Sequence, residues 1–260
     1  MWIKMSQGKK RQQHEALFHL SEPRHDVCVR VVQDTTKVDG LGGEVWPGAL
    51  VLCELLDARS EEVVIGRDVI ELGAGCGLCG LVAAALGAKT LVLTDEFPDL
   101  LATNIARNCH LWSEVENDDR LSIASCGELK WGVAESIAPY AHSFDTILGS
   151  EITQLGRDLH APLLKTIGSI LRPNANSLAL ISMDVCRAVC EGRCDVTNCI
   201  ASHFVAAAEI TGFKVHKHPS VQLAYRETVI TLVGALGRPL HVDVDDWSTV
   251  FELRLAHVTQ

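Results

Sequence analysis

A glycine-rich turn constrains the fold of this chain more than any other feature of its sequence. Residues 69–80 read VIELGAGCGLCG, an apolar, β-branched run followed by closely spaced glycines. The run predicts a buried strand, and the following GLCGLVAAALGA predicts a helix that ends at Gly87. Glycine allows the positive φ angles and close backbone approaches that such a turn needs. The stretch therefore predicts the first strand, turn and helix of an α/β sheet.

Predicted strands and helices alternate along the chain after this turn. The strand predictions, each from a short apolar run, are KTLVLTD, a weaker LSIAS, FDTILGSE and SLALISM. The helix predictions, each from apolar residues at helical spacing, are DLLATNIARN after Pro98, LHAPLLKTIGSIL before Pro173, and CIASHFVAAAEITG. FKVHKH and ETVITLVGAL follow too closely for a helical crossover, so they predict an antiparallel pair. The expected fold class is α/β: a doubly wound, mostly parallel sheet that ends in an antiparallel pair, with helices on both faces.

Composition and charge restrict the domain organisation, the partners and the location that this chain can have. The chain has 260 residues, of which 47% are hydrophobic and 22% charged, as expected for one large α/β domain. Its formal net charge of −10 at pH 7 disfavours nucleic acid as a partner. No apolar stretch reaches the ~20 residues of a membrane span, and the first residues lack the apolar core of a secretory signal. We expect a monomer in the cytoplasm, with the nucleus as the alternative because Lys9, Lys10 and Arg11 form a short basic cluster.

The glycine turn is also a candidate ligand site. Open α/β sheets bind ligands at the carboxyl ends of their strands, where this turn is predicted to lie. Gly75, Gly77 and Gly80 match the dinucleotide pattern G-x-G-x-x-G, and Asp95 follows at the ~20-residue distance of a ribose-binding acid. A turn that merely allows close packing of the helix is the alternative.

Glu71 separates two cofactor hypotheses. A carboxylate in a buried strand costs several kcal/mol unless it is paired, and a nearby pyrophosphate would add like-charge repulsion. S-adenosylmethionine carries an ammonium and a sulfonium group and no phosphate, so an acid beside the glycines favours it. An ion pair of Glu71 with Arg67 or Lys89 is the alternative.

Four ordered stretches of residues 41–236 carry a family resemblance. These stretches are GGEVWPGALVLCELL, VIELGAGCGLCGLVAAALGAKTLVLTDEFPDLLATNIARN, ELKWG and FDTILGSEITQ. Together they resemble the seven-strand lysine methyltransferases of methyltransferase family 16, the methyltransferase-like 21 group and its relatives. The resemblance implies a class I, Rossmann-like methyltransferase domain over 41–236, S-adenosylmethionine as cofactor and a protein lysine as acceptor. Residues 1–40 then form a partly ordered N-terminal extension, and 237–260 a C-terminal extension packed on the domain.

The resemblance assigns roles to residues around the turn. With the turn itself, the candidate cofactor-binding residues are Trp46, Glu71, Gly73, Ala74, Gly75, Gly77, Asp95, Trp131 and Ser150. The resemblance implies that Trp46 and Trp131 flank the adenosine and that Asp95 binds the ribose hydroxyls, since a carboxylate accepts two such hydrogen bonds. It implies that the glycines approach the methionine portion and that Ser150 lines the pocket beyond the fourth strand. For each tryptophan, a place in the core is the alternative.

Two positions after the fourth strand depart from the family pattern. Members of the family have Asp-x-x-Tyr after the fourth strand, whereas this chain has Glu151 and Gln154 at those positions. Methyl transfer depends mainly on alignment, and Glu151 is the candidate catalytic residue that orients the amine or accepts its proton through water. A helix N-terminal acid is the alternative for Glu151. Because the aromatic ring is missing, a small-molecule methyltransferase and a cofactor-binding module without turnover remain alternative functions.

The ten cysteines predict reduced thiols rather than a disulfide framework. Cys186, Cys190, Cys194 and Cys199 cluster after the fifth strand, but structural zinc sites use tighter pairs, so we expect no metal site. Residues 76 and 79 form a C-x-x-C pair inside the glycine turn. We expect one of these thiols to face the ligand and the other to pack against the helix.

Overall fold

We describe the fold from a computed structural model. The structure describes residues 13–21, 27–34, 41–113, 124–185, 199–218, 221–222 and 247–256. The strands are β1 (Gln13–His19), β2 (Cys28–Asp34), β3 (Asp68–Leu72), β4 (Thr90–Thr94), β5 (Ala124–Gly127), β6 (Thr146–Ser150), β7 (Leu178–Val185), β8 (Phe213–Lys217), β9 (Val221–Gln222) and β10 (Trp247–Leu255). The helices are α1 (Pro47–Ala58), α2 (Ser60–Val63), α3 (Leu78–Leu86), α4 (Pro98–Ser113), α5 (Ala134–Ile137), α6 (His160–Ile170) and α7 (Ile200–Ile210). Short 3₁₀ helices lie at Leu41–Gly43, Ala138–Tyr140, Ile152–Leu155 and Arg157–Leu159.

A mostly parallel sheet forms the centre of the fold. Its strand order is β5-β4-β3-β6-β7-β10-β8, with the short β9 also paired to β10. Strands β5, β4, β3, β6 and β7 run parallel to one another, whereas β10 is antiparallel to both β7 and β8. The predicted α/β class, with a mostly parallel sheet of seven strands and an antiparallel end, is confirmed.

The last strand of the sheet differs from the sequence-based assignment. The expected partner of β8, residues 227–236, lies outside the described residues. The structure instead pairs β8 with β10, in the register Leu253 to Val215. Residues 247–255, predicted to belong to a C-terminal extension, are therefore part of the sheet. Local apolar patterning identifies a strand, but it does not identify the strand's partner, which depends on contacts distant in sequence.

Each face of the sheet is covered by its own apolar layer. Successive residues of a strand point to opposite faces, so Leu148 and Ile147 of β6 belong to different layers. The first layer packs against α1 and α3 and includes Leu91, Leu93, Leu148 and Leu180. The second packs against α6 and α7 and includes Ile70, Ile147, Ile181 and Phe204. The glycine turn and the ends of the parallel strands lie at the edge between these layers.

The helix boundaries near the glycine turn agree with the sequence. Gly87, at φ 103°, ends α3 in the left-handed conformation that glycine adopts without steric cost. Pro98 begins α4, where its missing N–H group costs no helical hydrogen bond. Across the described ranges, no helix combines the length and the apolar character required to cross a bilayer.

Two asparagines of α4 hold the β1–β2 hairpin on the sheet domain. The Asn104 amide accepts a hydrogen bond from the Val32 N–H (2.7 Å) and donates one to the Val32 carbonyl (3.1 Å). The Asn108 amide makes the same two hydrogen bonds with the backbone of Arg30, at 2.9 and 2.6 Å. Positions i and i+4 share one helix face, so the two amides satisfy the edge of β2 as a neighbouring strand would. Asn104 also donates to the carbonyl of Cys76 (2.8 Å), which ties the hairpin to the glycine turn.

Candidate active site

Backbone segments from distant parts of the chain crowd around the glycine turn. Gly73 and Gly75 have φ angles of 58° and 53°. A Cβ added at Gly75 would lie 2.8 Å from the carbonyl oxygen of Gly42. A Cβ added at Gly73 would lie 2.6 Å from Ile152 Cγ2 and 3.4 Å from Trp131 Cζ2. The turn therefore requires glycine at both positions, and the Trp131 ring lies beside Gly73.

Two other candidate residues of the turn have structural contacts. Gly77 (φ 80°) precedes α3, and a Cβ there would lie 3.0 Å from Leu101 Cδ2 and 3.1 Å from Leu93 Cδ1. Gly77 therefore allows α3 and α4 to pack closely, which is the alternative that the sequence left open for the turn. The Ala74 N–H donates to the Thr94 carbonyl (2.9 Å) and fastens the turn to the end of β4.

Asp95 lies directly after β4 and is joined to the turn. Its Oδ2 accepts the Gly75 N–H (2.8 Å), and its Oδ1 accepts the Phe97 N–H (3.1 Å). A carboxylate offers about four acceptor positions, so two remain for further donors. The side chain is partly exposed. It is thus a carboxylate held in place by backbone amides with capacity to bind hydroxyl groups.

Glu71 lies beneath the turn and is only 2% exposed. Its Oε2 accepts the Gly80 N–H (2.7 Å), so the carboxyl group faces the first turn of α3. Burial raises the pKa of Glu71 to about 8, and the folded chain therefore keeps this acid largely protonated at pH 7. The described residues do not form the ion pairs proposed as the alternative for Glu71. Arg67 instead donates to a backbone carbonyl (2.9 Å), and Lys89 Nζ lies 3.5 Å from Asp68 Oδ2.

Trp46 and Ser150 border the same edge of the sheet. Trp46 immediately precedes α1 and is half-buried, and its carbonyl accepts the Ala49 N–H (3.0 Å). The preceding residue, Val45, donates its N–H to Gln33 Oε1 (2.7 Å), so the hairpin also positions this segment. Ser150 is the last residue of β6, and its hydroxyl is buried without a hydrogen-bond partner. That oxygen keeps its capacity for a ligand.

Glu151 has an unusual backbone conformation. Its φ of 57° lies in the left-handed region, which costs energy for a residue with a side chain and persists only when the surroundings hold it. Its N–H donates to the Ser182 carbonyl (3.0 Å). A Cβ added at Gly48 would collide with the Glu151 carboxylate, so that group lies against the first turn of α1. The Glu151 side chain therefore lies at the start of a helix. This helix is α1, and not the 3₁₀ helix that directly follows Glu151 in the sequence.

A histidine pair holds the segment that follows Glu151. His160 Nε2 lies 3.0 Å from the Thr153 carbonyl, so this nitrogen carries a proton and donates. Burial lowers the pKa of His160, and in the neutral ring Nδ1 must then accept a hydrogen bond from the Nδ1–H of His203, 2.9 Å away. The pair joins α6 and α7 to the segment that carries Glu151 and Gln154. Sequence reasoning missed it because no local pattern relates two histidines so far apart.

The C-x-x-C cysteines are buried and unreactive by environment. Cys76 Sγ lies 3.8 Å from the carbonyl oxygen of Gly42, and Cys79 Sγ lies 3.6 Å from that of Ala49. Burial raises the pKa of Cys76 to about 12, which keeps it a thiol. Both pack against segments that precede β3.

The later cysteine cluster lies mostly outside the described residues, which include Cys199 but not Cys186, Cys190 or Cys194. In the part of the chain that the structure describes, no three His, Cys, Asp or Glu side chains are grouped to hold a metal ion.

Comparisons with known proteins identify a family and relatives for this chain. A protein-family model described as lysine methyltransferase matches residues 24–188. The protein-lysine methyltransferase METTL21E of Mus musculus is 35% identical over 127 residues, which are 46% of this chain and 48% of that protein. The protein N-lysine methyltransferase METTL21A of Danio rerio is 36% identical over 61% of this chain and 66% of that protein. The chain thus spans about half to two thirds of the length of these relatives.

Among solved structures, the Thermus thermophilus 16S rRNA N2 G1207 methyltransferase RsmC, in complex with AdoMet and guanosine, has a similar fold. Its TM-score is 0.52 at 16% identity, over 93% of this chain and 50% of that one. At that identity the likeness shows the fold alone, a Rossmann-like methyltransferase sheet. With the family match over residues 24–188, the chain belongs to the lysine methyltransferase family.

Proposed function

We propose that this protein transfers a methyl group from S-adenosylmethionine to the side-chain amine of a lysine in a protein substrate. The observation that carries the proposal is the carboxylate of Asp95, hydrogen-bonded to the Gly75 amide (2.8 Å) at the carboxyl edge of the sheet. Family membership and the names of the METTL21 relatives support lysine as the acceptor. S-adenosylhomocysteine is the expected product.

The residues around the turn fit this cofactor better than a phosphate-bearing one. The Gly75 amide, which a pyrophosphate would use, is already occupied by Asp95, and that carboxylate would repel a phosphate. Asp95 keeps acceptor positions for the ribose hydroxyls. Trp131, beside Gly73, and Trp46 would border the adenosine. When bound, the cofactor supplies an electrophilic methyl group.

Asp95→Ala is expected to weaken S-adenosylhomocysteine binding by on the order of 3 kcal/mol, because two hydrogen bonds to a charged group are lost. Titration calorimetry measures this change. Glu96→Ala is the matched control: it removes an exposed acid from the neighbouring position and should leave the affinity unchanged. Equal affinities of Asp95→Ala and the unmodified protein would remove Asp95 from the site.

Glu151 is proposed to act on the acceptor amine. A lysine must be neutral to attack a methyl group, and a carboxylate can orient the amine or accept its proton through water. The Glu151 carboxylate lies against Gly48 at the start of α1, and its backbone is fixed by the Ser182 carbonyl. Such fixed placement is what alignment-dependent catalysis requires.

Glu151→Gln is expected to lower methyl transfer by ~10²-fold while the affinity for S-adenosylhomocysteine stays nearly constant, because the residue acts on the acceptor. Gly48→Ala should act in the same direction, since its new Cβ displaces the flexible end of the Glu151 side chain and not the backbone. Methyl-transfer rates and calorimetry on the same samples check both variants. A rate of Glu151→Gln equal to that of the unmodified protein would exclude the catalytic role.

A second candidate function is a cofactor-binding module without turnover. The observation that favours it is Gln154, which stands where the family resemblance places a tyrosine. Gln154→Tyr restores that ring beside the proposed acceptor path. If lysate proteins accept methyl groups only after this substitution, the binding module replaces the enzyme as the function of the natural chain. A rate that is unchanged or improved by Gln154→Tyr supports a working lysine site.

A protein substrate, a monomeric state and a cytoplasmic location, with the nucleus as the alternative, complete the proposal. The net charge of −10 supports a protein partner over nucleic acid. A net negative charge also suits lysine-rich substrates, whose charge is opposite.

A further inference from the structure

Two serine hydroxyls are buried on neighbouring strands without hydrogen-bond partners. Ser150 of β6 and Ser182 of β7 are register partners in the parallel pair. The Oγ atoms of both are buried, and neither has a partner in the structure. Ser182 is completely buried. Buried hydroxyls are nearly always hydrogen-bonded, so two neighbouring hydroxyls without a protein partner can bind water or the polar group of a ligand.

Both hydroxyls lie on the face of the sheet that α1 covers. Side chains two positions apart share a face, and Leu148 and Leu180, two residues earlier on each strand, belong to the layer beneath α1 and α3. Val250, the partner of Ser182 on β10, lies in the same layer. The two hydroxyls are thus polar atoms within an apolar layer.

The Glu151 carboxylate lies on the same side. It contacts the first turn of α1 at Gly48, and the Glu151 N–H is bound to the carbonyl of Ser182 itself. The candidate catalytic acid and both serines therefore border one region, between the start of α1, the end of β6 and the middle of β7.

We propose that Ser150 and Ser182 bind the two N–H groups of an unmethylated lysine amine and thereby limit the number of methyl groups added. This inference rests on the proposed function. A neutral primary amine has two N–H donors and one lone pair, and the lone pair must point at the methyl group. Hydroxyl oxygens accept both N–H groups, and the apolar surroundings favour the neutral amine over the ammonium ion.

The proposal predicts the product. Each methyl group added replaces one N–H, so a monomethylated amine can satisfy one serine and a dimethylated amine neither. A buried hydroxyl left without a partner is costly. The primary amine is therefore the preferred acceptor, and monomethyl-lysine is the main product.

Product analysis of serine variants tests the proposal. Each protein is incubated with S-adenosylmethionine and a cell lysate, and mass spectrometry counts the methyl groups on each modified lysine. Ser182→Ala and Ser150→Ala should each raise the ratio of dimethyl- to monomethyl-lysine at least about fivefold. Ser177→Ala is the matched control, because its hydroxyl is also buried and unpartnered but lies just before the amino end of β7. It should leave the ratio unchanged.

Measurements of binding and of thermal stability, which do not depend on methyl transfer, accompany the product ratios. Ser182→Ala should keep its affinity for S-adenosylhomocysteine within about twofold, and its thermal midpoint should be unchanged or higher, because the lost hydroxyl had no partner. With S-adenosylhomocysteine present, n-butylamine at alkaline pH should stabilise the unmodified protein more than Ser182→Ala.

Equal product ratios in the active unmodified protein, Ser182→Ala and Ser150→Ala would overturn the proposal and leave the proposed function standing. Weaker S-adenosylhomocysteine binding by Ser182→Ala would also overturn it, by assigning the hydroxyl to the cofactor. No methyl-lysine from the unmodified protein would overturn the proposed function and this inference with it.

Discussion

The free energy of unfolding of the unmodified protein is expected to fall by about 5 kcal/mol as the pH rises from 4.5 to about 8. Glu71→Gln is expected to abolish this fall. Burial raises the pKa of Glu71 from 4.5 to about 8, so the folded protein holds a proton that the unfolded chain releases. The favourable contribution of the protonated acid is complete below pH 4.5 and is lost as the pH rises to the folded-state pKa, and the difference in pKa sets its size. Glutamine is neutral throughout, and its amide oxygen can still accept the Gly80 N–H.

Urea unfolding at pH 5 and pH 8.5 measures this difference. The two proteins should have similar free energies of unfolding at pH 5, and the variant should be the more stable at pH 8.5. Glu61→Gln, at an exposed position of α2, is the control and should follow the unmodified protein at both pH values. Parallel pH dependence of Glu71→Gln and the unmodified protein would show that Glu71 does not titrate in this range.

Asn104→Ala is expected to lower the free energy of unfolding by about 4 kcal/mol. The side chain is completely buried and hydrogen-bonds the N–H and carbonyl of Val32 and the carbonyl of Cys76. Each buried backbone group left without a partner costs about 1–3 kcal/mol, partly relieved where water enters. Because the amide links the hairpin to the glycine turn, cofactor affinity should fall as well.

Chemical denaturation of Asn104→Ala and Thr103→Ala measures this effect. Thr103 is the exposed neighbour on α4, where alanine should change the free energy of unfolding by less than about 0.5 kcal/mol. A loss below about 1 kcal/mol for Asn104→Ala would mean that water replaces the amide and that Asn108 and the apolar contacts suffice to hold the hairpin.

Local sequence signals predicted the central part of the fold well. The glycine turn, the left-handed Gly87 at the end of α3 and Pro98 at the start of α4 each have a steric cause that acts within a few residues. Asp95 could be placed near Gly75 because adjacent parallel strands bring their carboxyl ends to one edge of the sheet.

Contacts between distant residues could not be predicted in this way. Asn104 replaces a strand with its side-chain amide, and nothing in a helical pattern indicates that use. The partner of β8 is β10, which lies beyond the nearer apolar run at 227–236. The pair of His160 and His203 joins two helices through a single hydrogen bond.

The environment of Glu71 could not be predicted from the sequence either. Its carboxyl group could have faced a ligand, Arg67 or Lys89, and only the packing of α3 turns it toward the Gly80 amide. Burial then determines its protonation, which a strand pattern alone cannot give.

Transfer of a labelled methyl group tests the proposed function most directly. The protein is incubated with S-adenosylmethionine carrying a tritiated methyl group and a cell lysate, and the labelled molecules are separated and identified. We predict label on the side-chain amine of lysine in a protein, and none with Asp95→Ala at a cofactor concentration that saturates only the unmodified protein. Label on a small molecule or nucleic acid, or no label on any lysine, would contradict the proposal of a protein-lysine methyltransferase.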